Sequence, residues 1–482
     1  MLFNSYPFLF LFLPVSLVVY FVMNRFNWYN GARLWLAACS LFFYSYWDVK
    51  YLPLILCSIL FNFLIGTTLT KTAEKPDSQR KWILITGIVV NVSLLIYYKY
   101  ADFFITNINT VAGTQLTLLK LILPLGISFF TFTQIAYLVD AYRRQVKEYN
   151  FINYVLFVTF YPHLIAGPIL HHKEMMPQFA DRENKRFNMN NASLGIFIFV
   201  LGLCKKVVIA DNFAPIATNG FNQAASLGFV ESWVTSLAYT LQLYFDFSGY
   251  SDMAIGIALL FNVRLPINFD SPYKALSIQD FWRRWHMTLS RFLRDYIYIP
   301  LGGNRKGPFR TYFNLAATFI IGGIWHGAGW TFIVWGVMHG GGQVIHRLWG
   351  KLGIHMPKWL AWFITFQFIN VTWVFFRAEN LTQAMNVLKG MAGLHGMDLP
   401  SFFATRLNLA SLKSYGVEFA AVSPLKLAMI ALFVLVCVLF KNTNQLSDNM
   451  KPKWSTAIVL AAVFVYSLLN FNQISEFLYF NF

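Results

Sequence analysis

Apolar runs near the length of a bilayer crossing recur from one end of the chain to the other. They lie at Phe3–Met23, Leu34–Tyr46, Tyr51–Thr70, Trp82–Tyr98 and Leu116–Val139, and again at Leu360–Phe376, Leu427–Phe440 and Ala457–Leu469. A crossing helix needs about 20 residues of this kind, and it must satisfy its own backbone polar groups because lipid cannot. Only 12% of the residues are charged, about half the share of a soluble protein. The expected fold is all-α: a polytopic helical membrane bundle. A β-barrel is excluded, because its strands alternate apolar and polar residues over short segments. No repeat or soluble module interrupts the pattern, so one transmembrane domain is expected over 1–482, with a core at 120–346 and a candidate external loop at 379–424. The first run is not expected to be a cleaved leader: its first basic residue, Arg25, follows it rather than precedes it.

Loop charges set the orientation. Arg25 and Arg33, then Lys71, Lys75, Arg80 and Lys81, then Arg143, Arg144 and Lys147 mark alternate loops. The positive-inside rule puts these loops in the cytoplasm and the N-terminus outside. In a bacterium that means the inner membrane, with a periplasmic N-terminus. The formal charge of +17 reads as this loop bias plus affinity for anionic membrane lipid; no basic, aromatic-interleaved domain is present to carry nucleic acid. Segment Phe151–Leu170 is broken by Pro162 and Pro168, and both its flanks are basic. It should be re-entrant or buried in protein, since broken backbone at membrane depth survives only there or beside a water-filled cavity.

The middle of the chain carries the unusual residues. From Gln279 to Arg310 it reads QDFWRRWHMTLSRFLRDYIYIPLGGNRKGPFR. Trp282, Trp285, Leu289, Phe292 and Tyr296 recur at helical steps, which predicts an amphipathic helix at the cytoplasmic interface with its aromatics toward lipid or protein and its arginines toward headgroups. His286 on this segment reads as an exposed, hydrogen-bonding aromatic. Between the basic patches Arg305–Arg310 and Arg347–Lys351 the chain must go in and come back out, turning near GGIWHGAGW. Counted from Tyr312 at about 1.5 Å per residue, His326 lies on the order of 20 Å deep. An ionisable residue there is a functional candidate, set against the plainer role of a hydrogen-bonding link between helices. His339 reads as such a link, and His163, His171 and His172 are weaker candidates. Asp246 and Asp252, in YFDFSGYSDM, need partners if buried; pairing with arginine or capping a helix is favoured over lining a polar chamber. Cys39, Cys57, Cys204 and Cys437 stand singly, so no zinc or disulfide pattern is present, and no metal is expected.

Several stretches together resemble the membrane-bound O-acyltransferase (MBOAT) family, in particular its bacterial branch active in alginate O-acetylation. They are LPLGISFFTFTQIAYLVDAYR, FYPHLIAGPI, GYSDMAIGIAL, LPINFDSPYKALSIQDFWRRWHMTLSRFLRDYIYIPLGGNR and WHGAGWTFIVWGVMHG. Small departures are Phe292, where a tryptophan is expected, and Phe261–Asn262, where a glycine is common. The resemblance implies a helical fold around a central chamber. It implies that His326 is catalytic and His286 a second, supporting histidine. It further implies an acyl donor reached from the cytoplasm and a hydroxyl acceptor reached from outside.

A neutral hydroxyl is a poor nucleophile toward a thioester, and an uncharged imidazole can take its proton. The resemblance implies acetyl transfer from a thioester such as acetyl-CoA, with no permanently bound cofactor. The resembled branch works with an exported partner that acetylates an extracellular polysaccharide, which implies as acceptor a periplasmic acetyltransferase partner or an extracytoplasmic polysaccharide such as alginate. Arg283, Arg284, Arg305 and Lys306 are candidates to hold coenzyme A phosphates. General-base and acyl-histidine mechanisms both remain open at this point. Competing readings are D-alanyl transfer to teichoic acid, acylation of lipid or protein, and a proton-coupled transporter.

Overall fold

The computed structural model describes residues 1–402, 418–420, 422–451, 453–471 and 478. Among these residues the structure is helical, apart from one short parallel strand pair, Asp398–Pro400 with Glu418–Ala420. Five helices are long and apolar enough to cross a membrane: Phe8–Arg25, Val49–Lys71, Asp77–Ala112, Met189–Asn222 and Lys358–Arg377. The chain divides into two compact units, the first formed by 1–203, 250–267 and 447–471, the second by 204–249, 268–446 and 472–482.

In the first unit the early helices stand close to the expected runs, at Leu13–Arg25, Tyr29–Ser45 and Leu52–Lys71. The next helix is far longer than its apolar run, extending from Asp77 to Ala112. It stops at Gly113, whose φ of 65° is the left-handed conformation that ends helices. The helix expected from Leu116 begins only at Ile127. Pro124 explains the delay, since a proline disfavours helical backbone in the residue before it. Segment Phe151–Leu170 is broken as its prolines require, into Phe151–Thr159 and Tyr161–Leu164. Every residue from Tyr154 to His172 is buried, so the segment lies within protein. The helical run Met189–Asn222 has no counterpart among the expected crossings, because Lys205 and Lys206 interrupt its apolar sequence.

The second unit explains those lysines. Cys204–Ala210 is a π-helical stretch, and within it Lys206 Nζ lies 2.8 Å from Asp211 Oδ1 and 2.7 Å from Asp246 Oδ1. All three residues are buried. Asp246 is thus paired as expected, with lysine in place of arginine, and its other oxygen accepts from the Leu478 N–H at 3.1 Å.

The expected in-and-out hairpin is present as Gly307–His326 and Trp330–Lys351, joined by extended backbone at Gly327 and Gly329. Its arms touch backbone to backbone. A Cβ on Gly323 would sit 2.4 Å from the Phe332 carbonyl oxygen, and one on Gly336 would sit 2.7 Å from that of Phe319. Small residues are the usual means by which membrane helices come this close. The returning arm also packs on Lys358–Arg377.

The Gln279–Arg310 segment departs from expectation. It is two short helices, Ile278–Arg284 and Met287–Leu293, followed by a π-helical turn at Arg294–Tyr298. Trp282, Trp285, Leu289 and Phe292 are buried, so the aromatic stripe is protein core and not a lipid-facing surface. The proposed loop 379–424 opens with a helix, Leu381–Met391, whose Ala384, Val387 and Met391 are buried; its residues 403–417 and 421 lie outside the described residues.

Two substitutions test these contacts. Gly323→Ala or Gly336→Ala should cost about 1–3 kcal/mol by forcing the hairpin arms apart, seen as a lower unfolding temperature in detergent. An unchanged temperature would mean the arms do not meet as described. Lys206→Met strands two buried carboxylates and should cost about 3–5 kcal/mol, with partial recovery when Asp246→Asn is added. Chemical denaturation of the purified variants measures both.

Candidate active site

His326 is the last residue of the hairpin's first arm. Extended Gly327 ends the helix there, so the imidazole is held at the turn. Its ring packs against Trp325, Trp335 and Phe376, with centroids 4.9, 5.1 and 5.1 Å away. The residue is 4% exposed. Three aromatic rings at this spacing exclude most water from the imidazole.

His286 sits at the joint between the two short helices, with φ 43° and ψ 54°. For a residue with a Cβ this left-handed conformation is uncommon and costs on the order of 1–2 kcal/mol. Such strain persists only where surrounding contacts impose it. Here they are numerous. Asn268 reaches across so that its Oδ1 lies 3.3 Å from His286 Nδ1, 3.2 Å from the Thr288 backbone nitrogen and 2.7 Å from Thr288 Oγ1. Its carbonyl accepts from the Met287 N–H at 3.0 Å. A backbone N–H can only donate, so the Asn268 atom facing Thr288 is the amide oxygen. His286 Nδ1 therefore carries a hydrogen, and the neutral ring keeps its lone pair on Nε2. The expectation of an exposed His286 is overturned: the residue is fully buried, with the Phe247 ring at 4.8 Å.

The structure brings the two histidines to one place. Trp325, in contact with His326, also lies 6.5 Å from the His286 ring. His339 is different in kind. The Trp282 indole donates to its Nδ1 at 3.1 Å, so its Nε2 carries the hydrogen and donates to Thr372 Oγ1, also at 3.1 Å. With both nitrogens bonded to protein, it links helices as the sequence suggested. In the first unit, His163 Nε2 donates to the Phe157 carbonyl at 3.1 Å. His171 faces Asp140 at 3.5 Å and His172 faces Glu148 at 3.2 Å. Burial pushes the Glu148 carboxyl up, but hydrogen bonds from His172 and the Asn150 N–H outweigh it and hold the group below the usual carboxylate range.

The four basic candidates part company. Arg284 is committed within the protein, its Nε 2.9 Å from Asp280 Oδ1 and its guanidinium 3.9 Å from Asp270. Arg283, Arg305 and Lys306 are exposed, the last two on the glycine-rich turn that leads into the hairpin. A cavity of about 700 Å³ lies in the first unit, lined by Leu13, Ile196, Val200, Trp454 and Leu460 among others, and includes neither His286 nor His326. Asn268, Thr288, Trp335 and Phe376 were not singled out from the sequence. Asn268 falls inside the LPINFDSPY stretch, but only the fold brings it to a histidine 18 residues away.

The sequence profile of the MBOAT, membrane-bound O-acyltransferase family, matches residues 41–381, a span that includes both histidines. The chain is 48% identical to the peptidoglycan O-acetyltransferase of Helicobacter pylori, over 100% of this chain and 98% of that protein. It is 40% identical to a probable alginate O-acetylase of Pseudomonas aeruginosa, over 86% of this chain and 78% of that one. A teichoic acid D-alanyltransferase of Streptococcus thermophilus is more distant, at 29% over 57% of this chain and 67% of its own. With its crossing helices and buried histidine pair, the chain belongs to the membrane-bound O-acyltransferase family: it is a multi-pass membrane enzyme, an O-acyltransferase.

Proposed function

We propose that this enzyme moves an acetyl group from a cytoplasmic thioester of the acetyl-CoA class to a hydroxyl of an extracytoplasmic polysaccharide, with His326 as the base. The observation that carries the reading is the pair of buried imidazoles, His286 and His326, each within 6.5 Å of the Trp325 ring. The full-length relation to a peptidoglycan O-acetyltransferase favours peptidoglycan as the polymer, ahead of the alginate of the 40% relatives. The enzyme sits in the bacterial inner membrane with its N-terminus outside, as its basic loops require.

Neutral His326 takes the proton of the acceptor hydroxyl as the oxygen attacks the thioester carbonyl carbon. The carbon–sulfur bond then breaks, and the imidazolium returns its proton to the departing thiolate. The cage of Trp325, Trp335 and Phe376 keeps water from competing for the acyl group. His286, its tautomer set by Asn268, presents the Nε2 lone pair as a hydrogen-bond acceptor and steadies the reactants. Arg283, Arg305 and Lys306 supply the exposed cations for the donor's phosphates, whereas Arg284 already has its carboxylates.

Proteoliposomes supplied with acetyl-CoA on the cytoplasmic side and polymer on the other test this reading. His326→Ala should lower base-labile acetyl incorporation by about 10²–10⁴-fold without loss of folded protein, and His286→Ala by less. Near-normal turnover in His326→Ala would remove the assignment. Transfer of D-alanine from a carrier protein, with no use of acetyl-CoA, would favour the teichoic acid alternative; solute flux without acyl transfer would favour a transporter.

An exported acetyltransferase partner would dock on segment 379–424, where Met385, Leu394 and Met397 are exposed apolar side chains. Met385→Glu with Leu394→Glu should abolish co-purification of that partner and leave the unfolding temperature within about 2 °C, as surface changes do. Undiminished co-purification would exclude this surface.

A further inference from the structure

The Asn268 amide is clamped at one end and unsatisfied at the other. Its Oδ1 is occupied by Thr288 and His286, and its main-chain carbonyl by Met287. Because the Thr288 N–H fixes which branch is oxygen, Nδ2 is directed away from Thr288, carrying two hydrogens. The residue is 1% exposed, and Nδ2 finds no acceptor among the described residues. Folded proteins retain few buried donors of this kind, and each calls for an explanation. A donor pair held in one orientation beside a strained histidine fits an acceptor that arrives with the substrate.

We propose that Asn268 Nδ2 donates to the carbonyl oxygen of the bound acyl donor and stabilises the negative charge that develops there. This rests on the acyl-transfer reading above. During attack by the hydroxyl oxygen, the carbonyl π electrons move onto that oxygen. They return as the carbon–sulfur bond breaks, so the donor is needed only while the tetrahedral intermediate exists. A hydrogen bond already in place when charge appears requires no reorganisation, which is what makes such donors effective. Asn268 therefore has two jobs: positioning His286 through oxygen, and touching the substrate through nitrogen.

The two jobs separate experimentally. Asn268→Asp retains an acceptor for Thr288 and His286 but removes the donor pair; Asn268→Ala removes both. The full-length protein in lipid nanodiscs would be titrated with acetonyl-coenzyme A, whose ketone keeps the carbonyl oxygen, and with S-propyl-coenzyme A, which lacks it. The native protein should bind the ketone about tenfold more tightly, and Asn268→Asp should bind the two equally while keeping its affinity for S-propyl-coenzyme A. In turnover, Asn268→Asp should lower kcat by about 10²–10³-fold, with KM for the donor raised by no more than about the factor lost in ketone binding.

Full turnover and retained preference for the ketone in Asn268→Asp would overturn the proposal and leave Asn268 a positioning residue only. Equal binding of the two probes by the native protein would also overturn it. Failure of the native protein to bind either probe would instead refute the coenzyme A reading on which it rests. Thermal unfolding of each variant separates these outcomes from a failure to fold, and Asn268→Gln, which retains both amide functions, serves as the partial rescue.

Discussion

The close approach of the two hairpin arms is the contact on which the site depends. Gly323 and Gly336 let each arm's backbone reach the other's carbonyl oxygens, a separation no side chain would permit. In lipid there is little hydrophobic gain in bringing two apolar helices together, so packing at short range must supply the association. That seam fixes where the first arm ends, and hence where His326 is displayed. It also brings Trp335 of the returning arm against the His326 ring, while Phe376 reaches it from the neighbouring helix Lys358–Arg377.

Three buried histidines of the second unit differ in which of their nitrogens the protein binds. His339 is bonded at both nitrogens, between an indole donor and a threonine hydroxyl, and its place is that of a fastener. His286 is held through Nδ1 by an amide oxygen that also serves Thr288, an arrangement that dictates its tautomer at the expense of an unfavourable backbone angle. His326 is surrounded chiefly by aromatic rings. The same residue type thus takes on different chemistry according to which of its atoms the protein occupies.

The buried Lys206 with Asp211 and Asp246 illustrates the cost of polar groups at depth. Two carboxylates and one ammonium within 2.7–2.8 Å contacts offset each other's desolvation, but only while all are present. The same requirement for partners governs Arg284, which two aspartates engage. Its guanidinium is therefore tied to the protein's own carboxylates, whereas Arg283, Arg305 and Lys306 are exposed.

Much of this was written in local sequence. Apolar length located the crossing helices Phe8–Arg25, Val49–Lys71 and Lys358–Arg377, Pro162 broke the buried segment, and basic flanks around GGIWHGAGW required a hairpin with His326 at its turn. Those features depend on segment length, backbone dihedrals and loop charge, which are properties of neighbouring residues. What sequence periodicity left open was the covering of the Trp282–Tyr296 stripe, because an apolar helical face looks alike whether lipid or protein covers it. Burial of His286, its tautomer, and the meeting of Asn268 with Thr288 were decided by tertiary structure alone. Hydrogen bonds between distant residues arise from how the chain returns on itself, and no local pattern encodes that return.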